Sequence, residues 1–155
     1  MKNILYLLCF GLFFSTPLSA QQDTAVEEIK ELLGGTTAVA VYNTFIAIGM
    51  AADLYLSHQD NQEIAQMLAE EQIDMAENMH LMFTETLSKN AAAFSENDIY
   101  FLHGVVETFE ALESFAKVAS EWMQNPQSAE HMEKYDQQRE IAWQLVGDLL
   151  GLDEE

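Results

Sequence analysis

"GGTTAVAVYNTFIAIGMAADLYL", from Gly34 to Leu56, carries one formal charge, Asp53, in a 155-residue chain where 26 acidic side chains face six cations. Three structures could keep such a segment free of charge: a membrane span, a β-strand, or the most buried helix of a bundle. The β-branched residues and the alternation in "TTAVAVY" suit a strand. A strand needs partners for its backbone N–H and C=O groups, however, and no other segment offers one. Length permits a span, but Asn43, Thr44, Asp53, the many small residues and the lack of a flanking cationic cluster weigh against it. A helix covered on most sides by three amphipathic neighbours meets every requirement. Ala47, Gly49, Ala51 and Ala52 would then let another backbone come close.

The neighbours are legible as helices, because the residues between the breaks are rich in Ala, Glu, Gln, Leu and Met. Breaks are expected at Gly34–Gly35, Ser57–Asn61 and Ser88–Asp98. The segment that follows Ser95 has the clearest pattern. Leu102, Val105, Phe109, Leu112, Ala116, Ala119 and Met123 recur at spacings of three and four, with Phe101, Phe115 and Trp122 widening the stripe. His103, Glu107, Glu110, Ser114, Lys117 and Glu121 form the opposite, solvated row. Ser95 with Asp98 reads as a capping box, with Asp in the usual place of Glu.

The segment from about Asn61 to Lys89 puts Ala65, Leu68, Ala69, Ile73, Ala76, Met79, Phe83 and Leu87 on one arc. A last helix is expected to begin near Pro126, a residue suited to a first helical turn. It carries Met132, Tyr135, Ala142, Val146 and Leu149 to a stop at Gly151. The expected fold is all-α: an antiparallel up-down-up-down four-helix bundle over 36–151, behind a short amphipathic lead-in over 21–35 and ahead of an acidic tail over 152–155.

The first twenty residues, "MKNILYLLCFGLFFSTPLSA", place one cation, Lys2, before an apolar run from Ile4 to Phe14 and small or polar residues up to Ala20. That layout predicts a secretory signal peptide over 1–20 and an exported protein, periplasmic or extracellular. Cleavage would leave five cations against 26 acids, a net charge of 5 − 26 = −21, and would remove Cys9, the only cysteine. Stability must then come from packed apolar side chains rather than cross-links. Charge of this sign repels nucleic-acid phosphate and anionic lipid heads, so neither nucleic acid nor membrane is the expected partner. A protein or small ligand is, cationic if charge steers it.

Few constellations point to chemistry. Glu77 and His80 in "MAENMHLMF" form Glu-x-x-His, the spacing that puts two ligands on one helix of a di-iron carboxylate bundle. A second such motif is required, but Tyr55, Tyr100 and Ser128 stand at that spacing before His58, His103 and His131. Met75, Met79 and Met82 lie in the same stretch, and thioethers suit Cu(I), although methionine at helical spacing commonly fills core. No cofactor is therefore expected, with iron or copper as the alternative. Arg139, the single arginine, continues the apolar stripe of the last helix and calls for solvent or a carboxylate. Asp53 is the natural carboxylate, although simple levelling of the helices leaves it about two turns away and Asn43 nearer. Arg139, Asp53 and Asn43 are thus the candidate ligand-binding residues, at a polar link or an anion-recognising pocket between the first and last helices. There is no mature cysteine, no G-x-S-x-G, and no phosphate-cradling glycine motif. The sequence therefore points to a non-enzymatic bundle that acts by binding, with a metal-carboxylate bundle and a membrane subunit spanning 34–56 as alternatives.

Overall fold

The computed structural model describes residues 20–57 and 59–152. Residues 1–19 of the expected signal peptide and the last three residues of the acidic tail lie outside the described residues. Four α-helices account for nearly all of these: α1 (Ala20–Ser57), α2 (Gln62–Asn90), α3 (Glu96–Gln124) and α4 (Ala129–Leu150). Single 3₁₀ turns at Gln59–Asn61 and Ala91–Ala93 link the first three, and no strand occurs among the described residues. The chain divides into two compact units, Met1–Thr36 and Thr37–Glu155.

Gly34–Gly35 does not break the chain as expected. The helix runs through both glycines, and Thr36 donates its hydroxyl to the Leu32 carbonyl at 2.7 Å. Glycine in a helix interior costs about 1 kcal/mol relative to alanine. The long helical runs on either side outweigh two such penalties.

Within Thr37–Glu155 the core centres on α3, not on α1. Leu102, Val105, Phe109, Leu112, Ala116, Ala119 and Met123 are all buried, as their period requires, and Phe115 and Trp122 join them. Each large side chain of this set contributes about 1.5–3 kcal/mol by leaving water. The Thr37–Ser57 part of α1 buries Val41, Thr44, Ile48, Ala51, Ala52 and Tyr55 on one side only. Its other side leaves Val39 60 % and Met50 64 % exposed, with Tyr42 and Ile46 also open. The expectation of a helix covered on most sides therefore fails. A segment apolar all round shows no face in sequence, whereas α3 presents the broadest continuous stripe and takes the centre. A Cβ added at Gly49 would meet nothing within 4 Å, so no backbone presses on α1 there.

Side-chain pairs fix how the helices meet. His80 on α2 faces Glu113 on α3, and Phe83 stacks on Phe109 at 6.1 Å between ring centroids. From α3 to α4, Thr108 lies opposite Leu145, and Gln138 reaches toward the Ala111 carbonyl. An added Cβ at Gly104 would meet the Leu149 side chain at 3.4 Å. From α1, Phe45 touches Phe115 of α3 and Trp143 of α4, and Tyr55 meets Trp122.

The helix ends follow capping chemistry. Ser95 and Asp98 form the expected reciprocal capping box. The last helix starts later than expected: Ser128 is its N-cap, accepting from the His131 N–H at 3.3 Å, while Pro126 sits in the preceding turn. A hydroxyl that satisfies an otherwise unpaired N–H defines the start better than a proline's fixed φ. Gly151 ends α4 at φ 64°, the left-handed conformation, with Leu152 N–H bonded back to Gly147.

Candidate functional site

The open side of α1 meets α4 in a groove of about 480 Å³. Tyr42, Phe45, Ile46, Gly49, Met50 and Asp53 line it from α1, and Tyr135, Arg139, Glu140 and Trp143 from α4, with Phe115 of α3 as floor. The α1 positions follow helical spacings of three and four, so one strip of that helix supplies them all. On α4, Tyr135 belongs to the buried row with Ala142 and Val146, and Arg139, Glu140 and Trp143 fall between that row and the solvated face.

Aromatic contacts give the groove a rigid base. Phe45 lies 5.5 Å from Phe115 and 5.2 Å from Trp143, and Phe115 lies 5.5 Å from Tyr135. These tilted geometries are the favourable ones for ring pairs. The series continues inward through Trp122, stacked on Tyr135 at 5.2 Å, to Tyr55. Trp143 is 38 % exposed. Trp122, which widens the apolar stripe of α3, is buried in the core.

Arg139 and Asp53 both line this groove. The Arg139 guanidinium stands over the Tyr135 ring, 6.0 Å from its centroid, a cation–π arrangement. Burial pushes the Tyr135 phenol above its ordinary value; Arg139 opposes this by charge and hydrogen bonding, while Asp53 and Asp136 add to the rise. Asn43 is exposed and is not among the lining residues. Asp53 and Glu140 set two negative charges against the single positive charge of Arg139, so the groove keeps the sign of the whole molecule. A second, more open cleft of about 620 Å³ on α4, lined by Met132, Glu133 and Asp136 among others, is acidic as well. Met132, expected on the buried stripe, is exposed there.

His80 turns to α3, where its Nδ1 lies 3.9 Å from Glu113 Oε2, and Glu113 also accepts from Lys117. Glu113 raises the Lys117 pKa by hydrogen bonding and charge, and exposed Glu77 adds a smaller charge effect. The motif thus feeds a charge network that ties α2 to α3. Among the described residues, no group of three or more His, Cys, Asp or Glu side chains is arranged to hold a metal ion.

Sequence reading missed the aromatic groove because Tyr42, Phe45, Ile46 and Met50 were counted as covered. Their spacing was the available signal: with Asp53 they trace one strip that carries the only charge of the segment. Comparison with known proteins finds no family model, no curated protein and no solved structure that matches the chain.

Proposed function

We propose that this chain is an exported, non-enzymatic binding protein, an antiparallel up-down-up-down four-helix bundle freed of its leader, whose α1–α4 groove receives the apolar face of a cationic amphipathic segment of a partner protein. The observation that carries this reading is the uncovered stripe of Val39, Tyr42, Ile46 and Met50, which runs into the aromatic groove beside Trp143. A helix laid in an apolar groove is read by anchors three and four residues apart, and this surface has that spacing. The occupant's charge follows from complementarity: the chain is −20 overall, and the groove lining itself carries Asp53 and Glu140 against Arg139.

The test is a titration of the protein with an 18-residue leucine–lysine peptide in amphipathic register, followed by tryptophan emission. Saturable binding with a blue shift is expected, retained in Trp122→Phe and lost in Trp143→Phe. Ile46→Glu should weaken binding at least tenfold, as should raising the salt from 20 to 300 mM. A scrambled peptide that binds equally, or an Ile46→Glu protein that binds like wild type, would overturn the reading.

A membrane role has its own observation. Lys30–Ser57 is long and apolar enough to cross a bilayer, and 33 % of its most apolar window is buried. Phosphocholine vesicles serve as the second arm of the titration. If they shift Trp143 emission and the peptide does not, the stripe faces lipid rather than a partner helix.

A further inference from the structure

Four of the eight methionines lie on α2, and three of them, Met75, Met79 and Met82, stand at spacings of four and three. At about 100° per residue they fall within about 60° of arc, over about 10 Å of helix. This row flanks the buried row of Ala65, Ala69, Ala76 and Phe83 rather than lying within it. Core-filling methionine has a different signature here: Met123 is wholly inaccessible. Met75 is 39 % exposed, and Met79 and Met82 are half-buried, so none of the three is sealed in the core.

We propose that Met75, Met79 and Met82 bind one soft monovalent cation of the Cu(I) class. Neutral, polarizable thioethers select such ions over hard divalent ones, and three of them supply a full trigonal set. Three rotatable bonds per side chain let sulfurs spread over two helical turns converge on a point beside Met79. Exposed Glu71 flanks the row on the same side of α2 and raises the local cation concentration, whereas Glu85 is paired with Lys89. His80 is directed at Glu113 and is not a member of the set. The proposal is independent of the α1–α4 groove, which lies on other elements.

The experiment measures anaerobic transfer of Cu(I) from its bicinchoninate complex to the full-length protein carrying Cys9→Ser, because that thiol would compete for the ion, read from the chelator's visible band. One ion per chain is expected to transfer, with methyl resonances of three methionines shifting in the NMR spectrum. Met79→Leu should weaken the site at least tenfold and Met75→Leu/Met79→Leu/Met82→Leu should abolish it. His80→Gln should bind like the Cys9→Ser parent. If the triple variant does not fold by circular dichroism, Met75→Leu and Met82→Leu, at the more accessible positions, carry the test singly and should each lose several-fold affinity. Transfer unchanged in the methionine variants, loss of transfer in His80→Gln, or the absence of transfer to the parent would each overturn the proposal.

Discussion

Tyr135 concentrates the electrostatics of the groove. Its phenol is buried among Phe115, Trp122 and the Arg139 guanidinium, and burial holds its folded pKa above the ordinary 10.0. A raised pKa means that the folded state prefers the protonated phenol. That contribution to stability is complete below pH 10 and is lost as pH climbs from there through the folded value. The stability difference between wild type and Tyr135→Phe, measured by urea unfolding, should be flat from pH 7 to 9 and should shrink or reverse above pH 10. An unchanged difference at pH 11 would show that the phenol is freely solvated. Arg139 was legible as exceptional from sequence because a lone guanidinium on an apolar stripe demands a partner. What sequence hid was the partner's level, which the Phe45–Trp143 contact between α1 and α4 sets differently from simple stacking. That level brings Asp53, rather than Asn43, into the groove.

At the scale of the element, α3 was readable almost to the residue. Its apolar positions recur on one face, and Ser95 with Asp98 marks the start by two reciprocal hydrogen bonds. The break expected at Gly34–Gly35 shows where such signals stop. Glycine lowers helix propensity but imposes no conformation, so its neighbours decide. Neither glycine is crowded, since an added Cβ would meet nothing within 4 Å. Gly34→Ala and Gly35→Ala should therefore each strengthen α1 by up to about 1 kcal/mol. Hydrogen exchange of the amides around them should slow by up to about fivefold per substitution. Faster exchange would mean that the helix is interrupted there in solution.

Across the whole molecule, the surplus of 26 acids over six cations works against compaction. Among the described residues, the i,i+4 pairs Glu85–Lys89, Glu113–Lys117 and Glu130–Lys134 engage three of the acids but leave most carboxylates repelling one another. Added salt screens both effects, and the repulsions are the more numerous. The melting temperature should thus rise between 10 and 150 mM sodium chloride; a fall would assign the larger share to the pairs. The all-helical class was plain from composition and period, whereas the groove depended on which side of α1 stays uncovered, and a uniformly apolar helix gives no periodic clue to that. The aromatic series from Trp143 through Phe45, Phe115, Tyr135 and Trp122 to Tyr55 draws rings from α1, α3 and α4 into one asymmetric array. Near-ultraviolet circular dichroism of this protein is accordingly an optical reporter of three helices being docked at once. Warming or acidification that loosens any one of them will erase that ellipticity while the far-ultraviolet minimum at 222 nm persists.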